Sequence, residues 1–241
     1  MRIKTTSLLG AGTAALALAW AFGGMGISQA AETAVKLPPP AMDQPVAVQP
    51  ARETAVFAGG CFWGVQAVFQ HTRGVLNAVS GYAGGSKASA RYALIGSGLT
   101  GHAEAVKVTY DPKQISYGKL LQIYFSVAHD PTTLNRQGPD TGTQYRSAIF
   151  YKDASQKQIA ERYIAQLDAA KVFPAKIVTQ LAPLGTPLAF YPAEDYHQDY
   201  ATKHPRQPYI ARYDLPKIAN LKAVLPDVYR DKPVLVSEAG I

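Results

Sequence analysis

Phe57-Ala58-Gly59-Gly60-Cys61-Phe62-Trp63-Gly64 joins two periodicities within a few residues. Before it, Ala55 to Ala58 form a short apolar run of strand type. After it, Val65, Val68 and Phe69 recur at helical spacing. Gly59 and Gly60 permit a sharp turn between the two. A strand, a turn and a helix in that order put Cys61 at or near a helix N-terminus. Unpaired N–H groups and the helix dipole there favour a thiolate and are expected to lower its pKa. Cys61 is the only cysteine of the chain, so no intramolecular disulfide accounts for it. A lone cysteine is often a small buried hydrophobe, so the remaining residues must decide between packing and chemistry. Phe62 and Trp63 place an aromatic surface beside the sulfur, suited to a small, partly apolar sulfur or carbon centre.

From about residue 53 to 212 strand-like and helix-like segments alternate in one α+β domain. Strands are expected near 55–58, 75–81, 103–110, 146–151, 176–182 and 188–191, and helices near 62–71, 116–128, 154–170 and 194–203. Ser116 is the expected N-cap of the second helix, and His129-Asp130-Pro131 its stop. Gly81-Tyr82-Ala83-Gly84-Gly85 lacks a phosphate-loop fingerprint and reads as a turn. Residues 31–52 carry Pro38, Pro39, Pro40, Pro45 and Pro50 and read as an extended, mobile linker. Residues 213–241, with Pro216, Pro226 and Pro233, read as a tail wrapping the surface.

Gly101-His102-Ala103-Glu104-Ala105-Val106-Lys107-Val108-Thr109-Tyr110 alternates with the period of a half-buried strand. Glu104 falls on the same face as Val106, Val108 and Tyr110. A carboxyl group there is costly to ionise, so its pKa should rise and keep a proton near neutrality, as a general acid requires. The competing reading leaves Glu104 at the strand end, in contact with solvent. Residues 129–146 form a long polar loop of the kind that often carries function. Within it Asp140 offers an acceptor and Tyr145 a phenolic donor. The five histidines show neither HxH nor HExxH spacing, which argues against a metal site.

Taken together, Gly60-Cys61-Phe62-Trp63-Gly64, Gly81-Tyr82-Ala83-Gly84-Gly85, Gly101-His102-Ala103-Glu104, Asn135-Arg136-Gln137-Gly138, Gln144-Tyr145-Arg146-Ser147 and Ala193-Glu194-Asp195-Tyr196-His197-Gln198 resemble the peptide methionine sulfoxide reductase A family over residues 53–205. The resemblance implies a single-domain, two-layer α+β sandwich on a mixed sheet. It also implies reduction of the S epimer of methionine sulfoxide, free or in peptides and proteins. By the same resemblance Cys61 is the nucleophile, and Phe62 and Trp63 line the pocket for the substrate methyl group. Glu104 protonates or hydrogen-bonds the sulfoxide oxygen, Tyr92 and Tyr145 share that oxygen, and Asp140 lines the site. No cofactor or metal is implied, and the protein is read as a monomer.

Two departures stand out. Ser86-Lys87-Ala88-Ser89-Ala90-Arg91 lacks the Asn-Pro-Thr that usually precedes the tyrosine matched by Tyr92. The C-terminal recycling cysteines of many members are missing too, so an external thiol, thioredoxin or a small thiol, has to reduce a Cys61 sulfenic acid. Two other readings compete. One is a cysteine-dependent acyl hydrolase with His102 or His197 as its base. The other is an exported binding module that uses the Phe62-Trp63 surface without catalysis.

Residues 1–30 read as a signal peptide. Arg2 and Lys4 precede an uncharged apolar stretch from Leu8 to Ile27, and Ser28-Gln29-Ala30 offers a small-residue cleavage site. An uncleaved anchor is the rival, because the stretch approaches spanning length. No cysteine lies there to carry a lipid. Removing Arg2 and Lys4 takes the net charge from +7 to +5, with no Lys/Arg block that would favour nucleic acid. The expectation is an exported, soluble protein without stable membrane insertion, periplasmic in a Gram-negative source. Intact-mass analysis of the exported protein should give a chain beginning near Ala31; a membrane-bound species retaining Met1 to Ala30 would replace cleavage by anchoring.

Overall fold

The computed structural model describes Met1 and residues 33–45, 47–49, 51–185 and 189–236. Apart from Met1 the expected signal peptide lies outside them. The elements are β1 (Glu53–Gly59), α1 (Phe62–Gln70), β2 (Val75–Ala83), α2 (Tyr92–Ile95), β3 (Ala103–Tyr110), α3 (Tyr117–Ile123), β4 (Arg136–Gln137), β5 (Asp140–Thr141), β6 (Ser147–Tyr151), α4 (Ala154–Ala169), β7 (Gln180–Pro183), β8 (Tyr191–Pro192), α5 (Tyr200–Lys203) and α6 (Leu215–Val224). The main sheet runs β7-β6-β1-β3-β2-β8. The β6–β7 pair is parallel and the other pairs are antiparallel, so the sheet is mixed and the fold α+β, as expected.

Alternation along the central strands sorts the two faces. Phe57, Val106 and Ile149 share a register row and meet Phe69 of α1, Leu120 of α3 and Tyr124 just after it, and Ile159 and Tyr163 of α4 in the main core. Phe57 stacks on Phe69 and Tyr124 at centroid distances of 5.2 and 5.1 Å. The other face carries Val56, Ala58, Ala103, Ala105 and Ala148 under Phe150, Leu184 and Phe190. Small residues there let irregular chain lie close, so one layer is sheet and the other helix.

Local chemistry sets several element ends. Ser116 caps α3 by accepting the Lys119 N–H at 3.1 Å, as expected. The helix then widens into a π-type turn at Tyr124–Ala128 and stops before Asp130-Pro131. Strand β2 runs on to Ala83, two residues beyond the expected end. Tyr82 pairs there with Glu104 on one side and Tyr191 on the other, so Gly81 to Ala83 are strand rather than turn. The expected strand over 176–182 begins only at Gln180. That expected over 188–191 is reduced to Tyr191–Pro192, with Leu188 outside the described residues. The helix expected over 194–203 splits into a turn at Asp195–His197 and α5. Gln198 causes the break: its amide bonds Ser80 on both backbone groups and the Ala193 carbonyl, and Asp199 follows with φ +59°.

The chain beyond residue 212 differs from the surface tail expected of it. Ile210–Asp214 form a π-type turn leading into α6, whose Leu221 is fully buried in the main core with Leu225 beside it. Pro216 misleads here, because proline in the first turn of a helix is a starter, not a breaker. The Pro-rich segment is extended but pinned. Leu37 is buried, its carbonyl accepts from Gln122 Nε2 at 2.7 Å, and the Pro38 carbonyl accepts from Tyr163 Oη at 2.7 Å. No described helix is long and apolar enough to cross a membrane. If α6 belongs to the cooperative core, Leu221→Ala should lower stability in a single urea transition by about 2–5 kcal/mol; a change within a few tenths would make it a surface appendage.

Candidate active site

Gly60 makes the turn that aims Cys61. Its φ is +87°, and a Cβ there would stand 2.6 Å from Cβ of Gln137, so only glycine fits. Cys61 follows as the N-cap residue of α1 and is partly exposed. The next residue ties the helix to the sheet: the Phe62 N–H donates to Oε2 of Glu104 at 3.1 Å. Glu104 is buried on the helix-facing side of β3, so the alternation reading holds and the solvent-exposed alternative fails. Burial lifts its carboxyl pKa to about 8, with Asp140 and Asp214 acting the same way and the Phe62 N–H opposing them. At neutral pH Glu104 therefore holds a proton, as a general acid must.

The thiol departs from expectation. Burial pushes the Cys61 pKa well above its usual value, and Glu104, Asp214 and Asp140 add to this; the Trp63 N–H pulls the other way. The helix N-terminus does act on the sulfur, but burial and the three neighbouring acidic side chains outweigh it. The resting site holds a thiol and a carboxylic acid side by side.

The aromatic residues form a cage. Phe62 is fully buried, 6.0 Å from the Tyr82 ring and 5.1 Å from that of His197. Trp63 stacks on Tyr200 at 3.9 Å and 10°, presents an edge contact with Tyr209 at 6.1 Å, and donates its indole N–H to Nδ1 of His197 at 3.2 Å. Tyr92, at the start of α2, lies 4.3 Å from His197 and is 39% exposed, at the rim. Burial raises the Tyr92 pKa, and Glu104, Cys61 and Asp140 act on it in the same direction. Burial likewise raises the Tyr145 pKa, with Glu104, Asp140, Cys61 and Tyr92 as further causes. Both phenols stay protonated donors beside the thiol and the acid. Asp140, on β5, accepts the hydroxyl of Tyr209. The structure thus gathers Cys61, Phe62, Trp63, Tyr92, Glu104, Asp140 and Tyr145 around one point.

Several residues here escape the sequence reading. Tyr209 comes from the last part of the chain, where burial and its bond to the Asp140 carboxylate keep its phenol protonated. Asp214 packs against the first turn of α1: a Cβ on Gly64 would stand 2.2 Å from its Oδ1, which is why that position is glycine. Neither residue lies in a run with a recognisable period. Neither histidine nominated for a hydrolase presents a free basic nitrogen: His197 lies in the cage, but accepting the Trp63 N–H on Nδ1 leaves its proton on Nε2, a buried atom without a hydrogen-bond partner among the described residues. His102 accepts the Gly85 N–H at 3.2 Å on Nδ1 and bonds the Ser86 carbonyl at 2.9 Å through Nε2, while His197 is the acceptor for Trp63. Among the described residues no group of three or more His, Cys, Asp or Glu side chains is placed to hold a metal ion.

Residues 53–226 match the family model described as peptide methionine sulfoxide reductase. The chain is 61% identical over 199 residues to peptide methionine sulfoxide reductase MsrA 2 of Mesorhizobium japonicum, covering 83% of this chain and 100% of that one. The chain belongs to the peptide methionine sulfoxide reductase A family. Its enzyme class is peptide-methionine (S)-S-oxide reductase. A second relative, from Synechocystis, is 51% identical over 175 residues, covering 73% of this chain and 80% of its own. Among solved structures, methionine sulfoxide reductase A of Corynebacterium diphtheriae superimposes with a TM-score of 0.56 at 38% identity, covering 69% of this chain and 84% of that chain. Mxr1 from Saccharomyces cerevisiae in reduced form gives 0.58 at 31% identity, covering 68% and 94%.

Because the Glu104 pKa is raised on folding, the folded chain keeps a proton that the unfolded chain has lost between the ordinary carboxyl range and about pH 8. Stability must then fall as pH rises through that window. Glu104→Gln, neutral throughout, should show a melting-temperature advantage over the parent that grows from about pH 5 to about pH 9; a constant difference would place the Glu104 pKa in the ordinary range.

Proposed function

We propose that Cys61 attacks the sulfur of methionine (S)-sulfoxide, in peptides and proteins and as the free amino acid, while Glu104, Tyr92 and Tyr145 hold its oxygen. The observation that carries this is the bond between the Phe62 N–H and the buried Glu104 carboxyl, which sets a protonated acid next to the nucleophile's helix. The substrate methyl group would sit against Phe62 and Trp63, in a cage whose polar edges are mostly spoken for. Asp140 lines the site and steadies Tyr209 across its mouth.

Proton movement follows from the two raised pKa values. Glu104 donates to the sulfoxide oxygen, which makes the substrate sulfur electrophilic. The carboxylate left behind takes the thiol proton as Sγ forms its bond to that sulfur. Electron density moving onto the protonated oxygen as Sγ attacks is met by hydrogen bonds from the two phenols, a form of electrostatic stabilisation. Collapse breaks the substrate S–O bond and the new Sγ–S bond as oxygen bonds to Sγ, which releases methionine and leaves Cys61 as a sulfenic acid. Methionine sulfur gains the two electrons that Cys61 loses. One external thiol then condenses with the sulfenic acid, releasing water and forming a mixed disulfide; a second thiol displaces the first and restores Cys61. Either a small thiol or a thioredoxin-type dithiol supplies those electrons.

The signal-like residues 1–30 support export and, in a Gram-negative source, repair of oxidised periplasmic proteins. The acyl-hydrolase reading lacks a base: His102 is bonded through both ring nitrogens, and His197 accepts the Trp63 N–H on Nδ1, so its Nε2 carries the proton.

One measurement tests the cycle. Given one equivalent of substrate and no reductant, the protein should release one equivalent of methionine and become labelled by dimedone at Cys61. Cys61→Ser should do neither while keeping its fold. Unmodified Cys61 alongside released methionine would mean that the electrons came from elsewhere.

A further inference from the structure

The loop that carries Tyr92 is weakly built in its own right. Helix α2 has four residues, and its N-cap, Arg91, makes no side-chain capping bond. What caps it comes from the far end of the domain. Glu194 Oε1 accepts the Tyr92 N–H at 3.0 Å, and Oε2 of the same carboxylate accepts the Tyr82 hydroxyl at 2.8 Å. Tyr82 is fully buried on β2, directly across from Glu104 in the β2–β3 register, so the carboxylate is anchored to a buried position in the sheet.

The geometry points to Glu194 as the positioning residue of Tyr92, fixing the phenol by linking its backbone to the strand opposite the catalytic acid. This rests on the reading that Tyr92 serves the sulfoxide oxygen. Without the carboxylate, Ile95 would still hold α2 in the core, but the first-turn N–H would lose its acceptor and the rim residue its reference to Glu104. Burial works to raise the Glu194 pKa, yet the Tyr92 N–H, the Tyr82 hydroxyl and His197 bring it below the ordinary value, so it stays a carboxylate at working pH. Tyr82 also packs against Phe62 at 6.0 Å. An effect routed that way would weaken the methyl pocket and appear in KM; an effect routed through Tyr92 appears in the sulfoxide-reduction step.

The test is a double-mutant cycle in single-turnover kinetics with Glu194→Met, which removes both acceptors at similar volume, and Tyr92→Phe. We expect each single variant to slow sulfoxide reduction about 10- to 100-fold with KM little changed, the size expected for one donor among several. The double variant should be no slower than Tyr92→Phe alone. Glu194→Gln, which can still accept from the Tyr92 N–H and donate to the Tyr82 oxygen, should recover most of the rate. Multiplying losses in the double variant, a rise in KM alone, or a normal rate in Glu194→Met would overturn the assignment. A silent Tyr92→Phe would instead remove Tyr92 from the chemistry, and the role of Glu194 with it. Should Glu194→Met fail to fold, Tyr82→Phe decides: it deletes only the hydroxyl that anchors the carboxylate, a slowed step supports the assignment, and an unchanged one ends it.

Discussion

The hydrogen bond from the Phe62 N–H to the Glu104 carboxyl is the contact on which the site depends. It joins the first turn of α1 to β3, an inner strand of the sheet, and so ties the turn that carries Cys61 to Glu104. An isolated carboxyl at this depth would be costly when ionised, and the single N–H only partly offsets that cost. The group responds by keeping its proton. The same burial keeps the proton on Cys61, so the resting enzyme stores two neutral groups where a looser site would hold two charges.

Around that contact the packing is graded from rigid to open. Phe62 and Tyr82 are sealed in the core, Trp63 is clamped between Tyr200, Tyr209 and His197, and Tyr92 and Tyr196 remain exposed at the rim. Rigidity behind the sulfur suits a small methyl-sized group, whereas the open rim leaves room for the rest of a polypeptide. Tyr209 and Asp214 enter from residues 209–214, so the C-terminal helix α6 is part of the site's construction and not an ornament on it.

A lone thiol bears on turnover as well. With Cys61 the only cysteine of the sequence, the proposed sulfenic acid has no second thiol in the chain with which to form a disulfide, and on that reading an outside thiol must reduce it. A cysteine held as the thiol by burial and neighbouring acidic groups is less open to adventitious oxidants, because the thiolate is the reactive form.

Local periodicity determined much of this protein by itself. The strand, the double-glycine turn and the helix around Cys61 are legible because apolar spacing changes from strand type to helical within a few residues. Glu104 could be placed on a buried face because β alternation needs only its neighbours. The Ser116 cap and the stop at Asp130-Pro131 are local chemistry too. What the tertiary structure decided are properties summed over distant groups. The direction of the Cys61 pKa depends on burial and on acidic side chains at 104, 140 and 214, and no window around residue 61 contains them. Trp63 and His197 lie 134 positions apart, and Tyr92 and Glu194 lie 102 apart. The proline in the first turn of α6 reads as a breaker until a buried Leu221 shows that a helix follows it. Short-range pattern places a residue on an element; only the packing of elements sets its partners, and hence its charge and its role.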